Sequence, residues 1–139
     1  MSERKKLMII DDDPEYVAAT RAILEGAGYD TDVAYNPRDG LAALRARRHD
    51  LLLLDLLMGR GAEGITVARV IRADPGLKHL PILVVTGLRT QLASILGNRA
   101  LHTDDIPLDD LLEKPVVPAV LLEKVAALLH PAASAQPVS

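Results

Sequence analysis

Short, wholly apolar blocks alternate with amphipathic stretches along this chain. Leu7-Met8-Ile9-Ile10 offers no polar face, which suits a strand covered on both sides. Asp13-Pro14-Glu15 then reads as a helix start: an N-cap, a proline at the first helical position and an acid near the positive end of the dipole. Val17, Thr20, Ile23, Leu24 and Ala27 recur at helical spacing, predicting an amphipathic helix from Pro14 to Ala27 that Gly28 ends. Tyr29 to Tyr35 reads as a weaker, outer strand. Asn36-Pro37 repeats the start signal and opens a second helix to about Arg47, with Leu41 and Leu44 facing inward. Asp50 to Asp55 encloses four consecutive leucines and is the strongest buried strand. Glycines 59, 61 and 64 mark a loop, and Ile65 to Ala73 a third helix ended by Asp74-Pro75-Gly76. Pro81 to Thr86 is another central strand, and Arg89 to Arg99 a fourth helix carrying Leu92, Ile95 and Leu96. Asp109 to Lys114 is the last strand. Pro118 opens the final helix, with Val120, Leu121, Val125 and Leu128 on its buried side.

The order is five strand–helix units. It predicts an α/β fold: a doubly wound, five-stranded parallel sheet with five helices shared between its two faces. The first, third and fourth strands have the strongest pattern and belong in the middle. A length of 139 residues suits one domain. With 49% hydrophobic and 25% charged residues the chain can build a core and is not of the disordered class. Cysteine is absent, which excludes thiol catalysis, zinc–thiolate sites and disulfide scaffolds. The formal charge of −3, and three tyrosines (Tyr16, Tyr29, Tyr35) as the only aromatics, argue against direct contact with nucleic acid. Arg45, Arg47 and Arg48 read as a solvated helix face. Histidines 49, 79, 102 and 130 lack metal-ligand spacing and read as surface residues. The basic Arg4-Lys5-Lys6 precedes only four apolar residues, so neither a signal peptide nor membrane insertion is expected, and the expected compartment is the cytoplasm. The domain is expected over residues 5–130, with 131–139, rich in Ala, Pro and Ser, as a tail or the start of a linker.

Ligands of open α/β sheets sit beyond the carboxyl ends of the strands. Asp11 and Asp12 follow the first strand there, Asp55 the third, Thr86 ends the fourth and Lys114 the fifth. Crowded carboxylates repel, and a hard divalent cation such as Mg²⁺ relieves the conflict. A carboxylate can also attack phosphorus, with Lys114 and the metal neutralising phosphoryl oxygens and Thr86 donating a hydrogen bond. Each residue alone has a plainer reading. Asp13 caps a helix, Asp55 could close a strand, and Thr86 could cap a turn.

Ile9-Ile10-Asp11-Asp12-Asp13-Pro14, Leu53-Leu54-Asp55, Val84-Val85-Thr86-Gly87 and Glu113-Lys114-Pro115, in that order, resemble the receiver domain of two-component response regulators. The likeness runs from about Lys5 to Leu129. It implies a flavodoxin-like fold with strand order 2-1-3-4-5, a Mg²⁺ cofactor and a histidine kinase or histidine phosphotransfer protein as phosphoryl donor. Asp55 matches the phosphoacceptor, Asp11 and Asp12 the acidic pair that holds the metal, and Leu57 the residue whose backbone carbonyl completes the metal shell. Thr86 matches the switch hydroxyl and Lys114 the phosphate-binding lysine, whose bond to Pro115 is cis in relatives. The implied function is that of a phosphoacceptor signalling domain, promoting only its own phosphorylation and dephosphorylation.

The chain departs from the family pattern in four places. Gly59 stands where a proline is usual, Leu57 is aliphatic where a polar side chain is common, and Leu111 replaces the usual switch aromatic. The span from Thr86 to Lys114 is longer than the norm, with the added residues around Leu101 to Leu108. The neighbouring face serves relatives for dimers and partners, so a homodimer, a downstream protein partner or a further domain are all compatible. Two rival readings are a degenerate receiver acting as a phosphorylation-independent interaction module, and a small aspartyl-phosphate phosphohydrolase. The latter needs a second acid/base carboxylate where Leu57 stands.

Overall fold

The computed structural model describes residues 4–58, 63–87 and 108–130. The elements are β1 (Lys6–Ile10), α1 (Pro14–Gly26), β2 (Asp30–Ala34), α2 (Pro37–Ala46), β3 (Leu51–Leu54), α3 (Glu63–Ala73), β4 (Ile82–Thr86), β5 (Asp110–Glu113) and α4 (Pro118–Leu129). All five strands form one parallel sheet of order β2-β1-β3-β4-β5. The three strands with unbroken apolar runs are the central ones, as their composition requires. Four helices lie among the described residues. The helix expected over Arg89–Arg99, the loop around Gly59, the lengthened stretch before Leu108 and the tail 131–139 fall outside them.

The alternating side chains of each strand feed two cores. Met8, Ile10, Leu52, Leu54, Ile82 and Val84 face one side, where Leu44 of α2 and Ile65, Ala68 and Ile71 of α3 cover them. Leu7, Ile9, Leu51, Leu53, Leu83 and Val85 face the other, under Val17 and Leu24 of α1 and Leu121 and Val125 of α4. The strands run straight in register, Ile10 beside Ala34 and Leu54, and Leu54 beside Val84.

The local signals do what their chemistry dictates. Asp13 caps α1, its Oδ1 accepting from Glu15 N at 3.0 Å and Tyr16 N at 3.3 Å. Asn36 caps α2 by accepting from Asp39 N at 2.8 Å. Gly28, at φ +99, ends α1 in a conformation other residues rarely adopt. Three expectations about burial in the helices and at the histidines need correction. Val120 is exposed rather than buried, because α4 turns Leu121 and Val125 to the sheet. Ala27, placed on the inward face of α1, is also exposed, lying at the C-cap. His49 is not a surface residue: its ring is fully buried between two acceptors, Asp32 Oδ2 at 2.8 Å from Nε2 and Arg47 O at 3.1 Å from Nδ1. The basic run stays exposed, with Arg45 paired to Asp74 and Arg47 to Asp32. No helix among the described residues is long and apolar enough to cross a membrane.

Candidate functional site

Backbone hydrogen bonds run one residue past the strand ends and fix the polar residues there. Asp11 N donates to Ala34 O at 3.1 Å, Asp55 N to Ile10 O at 3.0 Å, and Lys114 N to Thr86 O at 2.8 Å. Because β1 and β3 are neighbours in register, Asp11 and Asp55 emerge side by side where the strand order reverses. Thr86 ends β4 next to them, and Lys114 follows β5 before the cis bond to Pro115.

The side chains close into one network. Thr86 Oγ1 donates to Asp55 Oδ1 at 2.9 Å, and Leu57 N donates to the same oxygen at 2.9 Å. Lys114 Nζ donates to Asp11 Oδ2 at 2.8 Å and to Asp55 Oδ2 at 3.2 Å. Asp11 Oδ1 accepts from Asp13 N at 3.0 Å, so the residue that caps α1 is also tied to the carboxylate before it. Asp11, Asp55 and Thr86 are buried, while Asp12 is exposed at the rim. Burial raises the Asp11 carboxyl above its ordinary value, against the hydrogen bonds from Lys114 and the Asp13 amide. Burial works against the Lys114 ammonium as well, yet the two carboxylates outweigh it and hold the lysine above its ordinary value.

Carboxylate oxygens of Asp11, Asp12 and Asp55 lie within 4.8 Å of one another. Hard oxygen donors, converging and partly reachable from solvent, fit a small divalent cation such as Mg²⁺. Asp11, Asp12, Asp55, Thr86 and Lys114 are brought together by their side chains, and Leu57 meets Asp55 through its amide N–H. Two neighbours escaped the sequence reading. Gly64, a loop glycine by sequence, is the buried second residue of α3 and packs on the backbone of Asp55 and Leu56. Tyr16, in the first turn of α1, lays its ring under Lys114 Nζ, 4.1 Å from the centroid. An aromatic five residues after Asp11, on the helix that starts at the carboxylates, was the available signal.

A profile of the response regulator receiver domain matches residues 7–126. The chain belongs to this family. It is 36% identical over 127 residues to the DNA-binding response regulator MtrA of Mycolicibacterium smegmatis, covering 91% of this chain and 51% of that protein. It is 29% identical to Protein PilH of Pseudomonas aeruginosa, covering 89% of this chain and 97% of that one. The receiver thus spans about half the length of its MtrA relatives and nearly all of PilH. Among solved structures it is similar to a CheY-like response regulator receiver domain protein of Methanospirillum hungatei, with a TM-score of 0.76, 26% identity and 96% and 99% of the two chains covered. A two-component response regulator of Clostridium difficile gives a TM-score of 0.75 at 28% identity, covering 91% and 97%. The flavodoxin-like order 2-1-3-4-5 expected from sequence is the order observed.

Proposed function

We propose that this receiver accepts a phosphoryl group on Asp55 in a two-component phosphorelay. The observation that carries the reading is the convergence of Thr86 and Lys114 on the two oxygens of the buried Asp55 carboxylate. A carboxylate oxygen of Asp55 attacks phosphorus, and the bond from phosphorus to the donor breaks with its electron pair leaving on the donor. The donor class is a phosphohistidine on a histidine kinase or phosphotransfer protein, or a small acyl phosphate. Asp11, Asp12 and Asp55, with the Leu57 carbonyl, would hold Mg²⁺, which supplies charge neutralisation for the phosphoryl oxygens. Lys114 supplies a second positive charge from the β5 side, and the Thr86 hydroxyl turns from Asp55 to a phosphoryl oxygen. The site promotes its own phosphorylation and dephosphorylation and acts on no foreign substrate, and we assign it to the cytoplasm.

Output then passes to a protein partner, a further domain or a second copy. MtrA is named as DNA-binding, but this chain spans half of it, and a net charge of −3 favours a protein partner for the receiver itself. The phosphorylation-independent rival loses ground because none of the residues it would have shed is missing. Amide spectra with Mg²⁺ and beryllofluoride test the reading. Shifts centred on Asp11, Asp55, Thr86 and Lys114, absent from Asp55→Asn, are expected. An unchanged spectrum contradicts it.

A further inference from the structure

We propose that Tyr16 is a positioning residue for Lys114, holding the ammonium over its ring face so that it is aimed at incoming phosphoryl oxygens. The inference rests on the phosphoacceptor reading of Asp55. Lys114 Nζ has three N–H bonds and no acceptor capacity. It donates to Asp11 at 2.8 Å and to Asp55 at 3.2 Å, and the Tyr16 ring covers a further side at 4.1 Å. The tyrosine is itself fixed: its amide is bound by the Asp13 cap and its ring packs on the core beneath α1 and α4. Its hydroxyl is buried and makes no well-formed hydrogen bond among the described residues, although the Thr20 side chain lies beside it. The site therefore uses the ring, not the phenol.

A cation–π contact depends on charge and distance, not on the direction of any one N–H bond. The ammonium can turn its N–H bonds from the carboxylates to a phosphoryl oxygen while staying over the ring. Without the ring, the flexible stem of Lys114 is held by the two carboxylates alone, and those are the groups that metal and phosphoryl engage. Tyr16 keeps the lysine in place through that exchange.

Tyr16→Phe and Tyr16→Leu in the full chain test this. Two quantities are read: the rate of phosphoryl uptake from acetyl phosphate with Mg²⁺, and the ring-current shift of the Lys114 ε-methylene protons. Tyr16→Phe is expected to match wild type in both. Tyr16→Leu is expected to lose the upfield shift and to take up phosphoryl about three- to tenfold more slowly, the range of a partly desolvated cation–π contact. If thermal unfolding shows that Tyr16→Leu has lost its fold, Tyr16→Met carries the same comparison. Wild-type uptake matched by the ring-less variant overturns the inference alone, as does a Lys114 shift that survives loss of the ring. No uptake by wild type from acetyl phosphate, together with an amide spectrum unchanged by beryllofluoride and Mg²⁺, overturns the phosphoacceptor reading and the inference with it.

Discussion

Gly64 packs so tightly on Asp55 that a β-carbon at residue 64 would overlap the Asp55 carbonyl. The contact joins the first turn of α3 to the residue that carries the site, and Gly64 N also donates to Leu56 O at 3.0 Å. The obstacle is backbone, which cannot swing aside as a side chain can. Gly64→Ala should therefore cost about 1–3 kcal/mol in urea unfolding. It should also slow phosphoryl uptake by Asp55. A variant as stable and as fast as wild type would show that the loop yields freely.

Lys114 is ion-paired to both Asp11 and Asp55, the two buried carboxylates of the site, and offsets part of their charge. Removing one partner of such a pair leaves uncompensated charge, which costs up to about 3–5 kcal/mol in full burial and less here, where the lysine is partly exposed. Lys114→Met should lose stability in metal-free buffer. Added Mg²⁺ should then raise its melting temperature by more than it raises that of wild type, since a cation replaces the missing charge. Equal increments for both proteins would contradict competition between lysine and metal.

Arg72 ties three segments together. Its guanidinium donates to Lys78 O at 3.0 Å, Leu80 O at 2.6 Å and Asp109 Oδ2 at 2.6 Å, and Asp109 also accepts from Ile82 N at 2.7 Å. The contacts bind the end of α3 to the turn before β4 and to the start of β5. Arg72→Lys cannot reproduce the planar fork and should destabilise the chain by about 1–2 kcal/mol in urea unfolding. An unchanged midpoint would mean that the edge strand needs no such tie.

The opposite end of the sheet predicts a pH dependence. Burial pushes the Asp32 carboxyl up, but hydrogen bonds from His49 and Arg47 and the charges of Lys6 and Arg47 outweigh it and hold it below the ordinary 3.8. A lowered carboxyl contributes stability that is fully present above the unfolded value and lost as pH falls through the folded one. Asp32→Asn should thus be less stable than wild type at neutral pH, and the difference should shrink as pH falls below 3.8. Unfolding curves at several pH values check this. A constant difference would assign the loss to shape rather than charge.

Much of the fold was legible because its signals are local. Leu51–Leu54 and Ile82–Val85 have no polar face to show, and Asp13-Pro14 and Asn36-Pro37 announce helix starts wherever they occur. The site was legible for a related reason: parallel strands in register carry the residues after them to one edge, so Asp11, Asp55, Thr86 and Lys114 meet by topology alone. What stayed hidden depends on tertiary approach. Gly64 reads as a loop glycine until Asp55 is seen against it. His49 looks polar and external until Asp32 and the Arg47 carbonyl are found around it. Val120 shares the helical spacing of its neighbours, but only the docking of α4 decides which side of that stripe faces water.

The proposed function turns on one step, transfer of a phosphoryl group to Asp55 with the help of a metal held by its neighbours. Intact mass after incubation with acetyl phosphate and Mg²⁺ tests it most directly, with Asp55→Asn and a chelator as controls. One added phosphoryl group on wild type, absent from both controls, is the predicted result. The same addition to Asp55→Asn, or undiminished addition in the presence of chelator, would contradict the account.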